Sequence, residues 1–218
     1  MLGVFIVDIV VYLITLAVAY LVGSLPTGYL AGRVKGLDIR TVGSGNIGAT
    51  NAFRILGTKV GVLVLLVDAL KGFCACSFVA PVVVHFFPSM KSQEDYLALA
   101  AGVGAILGHN FTCWLRFKGG KGVATSAGVL FALSLPAAGT AVVVWAAVFT
   151  VSRYVSLASI SAAVSLPVAA WSWHGSSAKF WVFVGLGLMA IIKHKSNIRR
   201  LLSGTENRIG ARKKNTIE

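Results

Sequence analysis

The chain has 218 residues, of which 56% are hydrophobic and 12% charged, and its mean hydropathy is +0.81, whereas a soluble domain carries about 25% charge. That composition argues against a disordered or a soluble globular chain and for one polytopic all-α membrane domain over residues 1–218, since at about 20 residues per span no room remains for a large extramembrane domain. The balance of 20 Lys+Arg against 7 Asp+Glu, net +13, would elsewhere indicate nucleic acid or an anionic surface. In a membrane chain it reflects topology first, so the expected partner is the lipid bilayer and not nucleic acid.

Residues 4–25 form the first apolar run, with Asp8 as its single charge, long enough to cross about 30 Å at about 1.5 Å per residue. Ala17, Val18 and Ala19 resemble a signal cleavage site, but no Lys or Arg precedes the run, so a retained span is expected. Further runs follow at residues 61–87, 96–115, 123–151, 155–173 and 176–192. The 29-residue stretch 123–151, with Pro136 near its middle, is too long for one straight span. Read as one, it puts the uncharged N-terminus and the basic tail on the same side, against the positive-inside rule. Read as two short spans turning at Pro136, it gives seven crossings. Residues 33–59, 116–121, Arg153 and 193–214 then hold 17 Lys/Arg on one side, and only Lys91 and Lys179 fall on the other. The expectation is seven transmembrane helices, several of them short, with the N-terminus outside and the C-terminus cytoplasmic.

GxxxG spacings at Gly28/Gly32, Gly57/Gly61 and Gly104/Gly108 let helix backbones approach closely in lipid and are read as contacts within the molecule. Cys74, Cys76 and Cys113 show no metal spacing and are read as small packing residues.

The cytoplasmic loops carry more than positive charge. The first contains Gly43, Ser44, Gly45, Asn46, Ile47, Gly48, Ala49, Thr50, Asn51 and then Arg54. Its glycines match G-x-G-x-x-G, but no strand precedes them, so the dinucleotide reading fails. What remains is a glycine-freed backbone able to turn N–H groups toward an anion, with a helix start behind it. The second loop holds His109, then Arg116, Lys118, Gly119, Gly120, Lys121 and Gly122; Leu115 occupies the place of the first Walker A glycine, so this is no P-loop, yet lysines among open backbone donors suit a phosphate. The third follows the last span with His194, Asn197, Arg199, Arg200, Ser203, Gly204, Thr205 and Glu206, His194 and Asn197 sharing a face if the helix continues. Arg153, Ser156 and Ser159 mark a fourth cytoplasmic edge.

Asp68 and Lys71 lie one turn apart within an apolar run, where an unpaired charge is costly, and read as a neutralising pair. Asp38, Glu206 and Glu218 are the only cytoplasmic carboxylates expected, too few to hold magnesium for phosphotransfer, so no metal and no cofactor is expected. No His at 85, 109, 174 or 194 has an Asp four or five residues later, and no nucleophile elbow is present.

Together these three loops resemble the acyl-phosphate-dependent glycerol-3-phosphate acyltransferases of bacterial membranes. The resemblance rests on residues 43–51 with Arg54, on Gly108–His109 with residues 117–125, and on Asn197–Ile198, Arg200–Leu201 and Gly204–Glu206. It departs at Thr112–Cys113, where the family often has a proline. The resemblance implies an enzyme of the bacterial cytoplasmic membrane, its active site on the cytoplasmic side, that takes acyl phosphate and glycerol 3-phosphate as substrates. It would acylate the 1-hydroxyl, giving lysophosphatidic acid and phosphate, in the first acylation of phospholipid biosynthesis. By that resemblance Lys121, His194, Asn197, Ser44 and Arg54 are catalytic candidates. Gly43, Gly45, Asn46, Thr50, Asn51, His109, Lys118, Gly119, Gly120, Ser156, Ser159, Arg200 and Glu206 are the substrate-binding candidates. Proton removal could fall to the donor's own phosphate or to His194 oriented by Asn197. Two other classes fit less well: an organophosphate transporter, which would concentrate polar residues at the midplane, and a metal-dependent phosphotransferase, which lacks its carboxylates.

Overall fold

A computed structural model describes residues 2–210, and among these no strand is present. The helices run α1 Leu2–Gly23, α2 Thr27–Val34, α3 Ala49–Leu56, α4 Thr58–Cys74, α5 Ala80–Phe86, α6 Glu94–Asn110, α7 Val123–Leu133, α8 Leu135–Ser152, α9 Val155–His174, α10 Ala178–Lys193 and α11 Lys195–Leu202. Five stretches, Ile6–Val34, Thr58–Phe86, Pro88–Leu115, Leu135–Ser152 and Val155–His174, are long and apolar enough to cross a membrane. A helix satisfies its own backbone hydrogen bonds, which is what a lipid-embedded segment requires. α4 passes into α5 through a π-helical turn, Ala75–Val79, without leaving the helix axis.

The stretch 123–151 divides, as the sequence predicts, into two helices. The break falls at Ser134, whose extended backbone ends α7 and whose side chain caps α8, and Pro136 sits in the first turn of α8, where its missing N–H costs nothing. At 11 residues α7 is about 17 Å long, shorter than a usual span. Contacts fix its two ends nonetheless. Ser134 Oγ lies 2.6 Å from Nε2 of His174, at the end of α9, whereas Lys121, just before α7, bonds Asn197, which is joined through Glu206 to Ser156 at the start of α9.

Small residues set the helix contacts. A side chain at Gly104 or Gly108 would run into the α1 backbone at Leu16 and Tyr20, and one at Gly72 or Gly128 would force α4 and α7 apart. The Gly104/Gly108 spacing thus packs α6 on α1 within the molecule, in accord with the lipid rule for close helix approach. The cores follow these crossings: Val11, Ala80, Leu97 and Ala101 among α1, α5 and α6, and Ile106, Val129, Leu166, Phe183 and Leu186 among α6, α7, α9 and α10. The three cysteines are free. Glu218 and the basic residues 212–214 lie outside the described residues.

Candidate active site

The chain segment before α3 is shaped by one buried amide. Asn51 Oδ1 accepts from the Ser44 N–H at 3.0 Å, and its Nδ2 donates to the carbonyls of Ile39 and Val42 at 3.2 and 3.1 Å. Asn46 Oδ1 accepts from the Gly48 N–H at 2.8 Å. Gly43 and Gly45 take φ of +62° and +68°, which side chains resist. Both candidate amides are therefore spent on the shape of the loop, which leaves Ser44 exposed and Thr50 half-buried at the start of α3, with Arg54 exposed in its last turn.

The second loop begins with two non-glycine residues in the left-handed region, Arg116 at φ +54° and Phe117 at φ +61°, a conformation worth roughly 1 kcal/mol or more of strain apiece. The Phe117 N–H donates to the Thr112 carbonyl at 2.9 Å and holds the turn. The chain then lies back on the end of α6: the Gly120 N–H donates to the His109 carbonyl at 2.9 Å and the Gly119 N–H to that of Asn110 at 3.3 Å. Lys118 is exposed, and Lys121 turns inward.

Lys121 Nζ donates to Asn197 Oδ1. Asn197 Nδ2 donates to Glu206 Oε1 at 2.8 Å, Ser156 Oγ donates to the same oxygen at 3.0 Å, and Arg200 Nε donates to Oε2 at 2.6 Å. Glu206 is thus the hub that gathers α9, α11 and, through Asn197, the second loop. Ser159 lies one turn deeper, donating to the Val155 carbonyl and accepting from Trp145 Nε1, so of the two serines Ser156 belongs to the cluster.

The helix does not continue unbroken from His194 to Asn197: His194 ends α10 and precedes α11. Both side chains are buried and stay in the same cluster, Asn197 by its bond to Lys121 and His194 within reach of the Lys121 charge. His194 Nδ1 donates to the Ala190 carbonyl at 2.7 Å, which leaves Nε2 as the basic nitrogen of the neutral ring.

Burial first, and then the Lys121 charge, push the His194 pKa down to about 4. Burial likewise lowers Lys121 to about 8, with Glu206 opposing and Arg200, Arg54 and Lys193 reinforcing the shift. Burial works against ionisation of Glu206, but hydrogen bonds from Asn197, Arg200 and Ser156 outweigh it and hold its pKa below the ordinary carboxylate value. Near neutral pH the cluster therefore presents the cations Lys121, Arg54, Arg200 and Lys193 against one carboxylate, beside a neutral imidazole. Such a set of donors suits a dianionic phosphate.

Among the described residues, no three His, Cys, Asp or Glu side chains gather as a metal site. Two features escape the sequence pattern. Lys193 reaches the Asn110 carbonyl at 3.0 Å and its charge bears on Lys121, although in sequence it reads as an interfacial charge. Asp68 Oδ1 meets Lys71 Nζ at 2.9 Å, as expected for a neutralising pair, but also faces His109 Nδ1 at 3.6 Å. No spacing announces a partner 41 residues away; the charge of Asp68 within an apolar run was the one available signal.

The model of the family described as glycerol-3-phosphate acyltransferase matches residues 13–204. The glycerol-3-phosphate acyltransferase of Chlorobaculum tepidum is 41% identical over 94% of this chain and 99% of its own length, and that of Gloeobacter violaceus is 44% identical over 89% and 93%. Among solved structures, PlsY (YgiH), an integral membrane glycerol 3-phosphate acyltransferase in its glycerol 3-phosphate form, superposes with TM-score 0.80 at 40% identity, covering 91% of this chain and 96% of that one. On these grounds, and on its apolar helices, the chain belongs to the glycerol-3-phosphate acyltransferase family of integral membrane proteins.

Proposed function

We propose that this protein transfers a fatty acyl group from acyl phosphate to the 1-hydroxyl of sn-glycerol 3-phosphate, releasing inorganic phosphate and lysophosphatidic acid. The observation that carries this reading is the convergence of Lys121 from the second loop, Ser156 from the start of α9, and Asn197, Arg200 and Glu206 from α11 and the turn after it, with Arg54 close enough for its charge to act on Lys121. Solved relatives described as the glycerol 3-phosphate form and the lysophosphatidic acid form of PlsY support the choice of acceptor and product.

In this reading the acceptor hydroxyl attacks the acyl carbonyl carbon, a new C–O bond forms, and the bond to the phosphate oxygen breaks with its electron pair leaving on phosphate. Lys121, Arg54 and Arg200 hold phosphate charge, and the Lys121 ammonium with loop N–H groups stabilises charge that grows in the transition state. Ser44 Oγ, Thr50 Oγ1 and the Gly43 N–H supply donors around the phosphates, while Gly45, Gly119 and Gly120, whose N–H groups donate to the carbonyls of Val42, Asn110 and His109, and Asn46 and Asn51 keep the loops in shape. His194, with a pKa of about 4, is a weaker base than a phosphate whose second pKa is about 6. The departing phosphate therefore takes the proton, while His194 Nε2 accepts the hydroxyl hydrogen bond and aims it. An open apolar groove along Leu21, Leu25, Leu30, Trp114 and Leu115 runs beside the second loop and suits the acyl chain.

The same reading carries seven crossings, with the N-terminus outside and the site at the cytoplasmic face. It is supported by the charge distribution and by α7, which is bonded at Ser134 to His174 at the end of α9 and linked from Lys121 through Asn197 and Glu206 to Ser156 at its start. The deciding experiment gives the detergent-purified chain acyl phosphate and glycerol 3-phosphate and measures phosphate and lysophosphatidic acid. Equimolar formation of both is expected; release of phosphate without acylation would overturn the reading.

A further inference from the structure

The buried cluster around Asp68 is larger than neutrality requires. Asp68 Oδ1 accepts from Thr27 Oγ1 at 3.0 Å and pairs with Lys71 Nζ at 2.9 Å, and Lys71 donates also to the Leu25 carbonyl at 2.9 Å. One lysine already balances the charge, yet the same carboxylate oxygen faces His109 Nδ1 at 3.6 Å, and that nitrogen has no hydrogen-bond partner. The distance exceeds a hydrogen bond but leaves the carboxylate as the group the Nδ1–H is turned toward. Asp68 and His109 are 2% and 5% exposed, so neither borders open solvent.

The opposite edge of the ring meets the second loop. A methyl group on Gly120 would collide with His109 Nε2, and one on Gly119 with the His109 carbonyl, which already accepts the Gly120 N–H. The loop therefore rests on this residue without slack, and Lys121 is the next position in the chain. We infer that Asp68 and His109 form a positioning pair for Lys121: the carboxylate fixes the orientation of the imidazole, and the imidazole beneath Gly120 fixes where the loop presents the ammonium. The Gly120 backbone covers the Nε2 edge, so His109 acts through the loop and does not touch substrate. This inference rests on the reading of the Gly119–Lys121 loop as a phosphate cradle, and it gives a role to the sole intramembrane ion pair seen among the described residues in α4.

The test is a double-mutant cycle on the detergent-purified full chain, assayed with acyl phosphate and glycerol 3-phosphate at enzyme concentrations that keep a 10⁴-fold loss readable. His109→Ala leaves the Asp68, Lys71 and Thr27 contacts in place, so it keeps the proposal testable should Asp68→Asn fail to accumulate. The expected result is a loss of at least about 30-fold in kcat/KM from His109→Ala alone, but under about 3-fold when Lys121→Ala is already present. Its alkaline limb in kcat/KM should also rise by half a pH unit or more as Lys121 gains water, a change that a smaller folded fraction would not produce. Asp68→Asn should add nothing to His109→Ala. Equal losses from His109→Ala in both backgrounds with an unmoved limb, or full activity of His109→Ala, would overturn the pair. Full activity of Lys121→Ala would instead overturn the phosphate-cradle reading, and the pair with it.

Discussion

Lys121 and Asn197, 76 positions apart in sequence, share a hydrogen bond from ammonium to side-chain oxygen. Through it the loop before α7 is tied to α11, and through the second arm of Asn197 to Glu206. The ammonium is thereby held at one point in a cluster of other cations, where solvent alone would not keep it.

Loss of that ammonium should be felt in the reaction and not in the fold. Lys121→Ala removes a charge-assisted contact worth a few kcal/mol in the transition state, and kcat/KM should fall by about 10²-fold or more. The variant should elute and melt in detergent like the parent. Near-normal turnover at low substrate would contradict the assignment.

The pH dependence has a definite sign. Lys121 carries its charge below a pKa of about 8 and loses it above, so kcat/KM should decline on the alkaline side from about pH 8. Arg stays protonated throughout, and a Lys121→Arg variant that retains activity should lose this limb. Glu206→Gln removes the negative charge that raises the Lys121 pKa; its limb should shift to lower pH, with weaker activity as Asn197 and Arg200 lose their common acceptor. A limb that moved upward in Glu206→Gln would contradict the electrostatic account.

The loop residues give a stability test. Asn51→Ala leaves the Ser44 N–H and two carbonyls, those of Ile39 and Val42, without their present partner. At about 1 kcal/mol for each bond lost, thermal unfolding in detergent should show a destabilisation of about 2–3 kcal/mol, accompanied by loss of activity as residues 43–48 lose their shape.

Gly120→Ala forces a methyl into the buried His109 ring, which must shift toward Asp68 to make way. Activity should fall by at least about 10-fold, the cost expected from overpacking a close contact. Combined with His109→Ala it should cost less than the product of the two single losses, because the new methyl then occupies space the ring has vacated. A double variant worse than the product of the two singles would show that the contact is not the cause.

Donor choice and metal need can be checked together. Only Asp38 and Glu206 of the carboxylates on the loop side lie within the described residues, Asp38 is bonded to Arg40, and Glu206 is spent on Asn197, Ser156 and Arg200. Phosphotransfer through magnesium needs clustered free carboxylates. Turnover with acyl phosphate should persist in excess EDTA, and acyl-CoA or acyl-carrier-protein thioesters should not replace it. An absolute magnesium requirement, or efficient transfer from acyl-CoA, would return metal-dependent chemistry to consideration.

Much of the architecture is legible because apolar length and charge asymmetry are summed over many residues. The predicted run 155–173 and helix Val155–His174 agree nearly residue for residue, and the long stretch 123–151 opens beside its proline. The site was legible in kind: Lys121, Asn197, Ser156, Arg200 and Glu206 all stand out as polar residues crowded at helix ends. Their individual duties were not, because a duty depends on who lies opposite. Asn51 and Asn46 look like ligand donors until the backbone atoms they hold are seen, and Ser156 differs from Ser159 only in which way one turn of α9 faces. The meeting of Asp68 with His109 depends on the crossing of α4 and α6, for which one sequence holds no periodic signal.

The position of Glu206 after the last of the eleven helices among the described residues has a consequence for biogenesis. Lys121 and Ser156 are synthesised well before the carboxylate that gathers them, so a nascent chain that has completed α1 to α10 still lacks the clasp. The machinery closes only as α11 and its following turn emerge. A chain halted after Lys193 should therefore insert as a helical bundle and remain inert, which separates membrane integration from the onset of lipid chemistry.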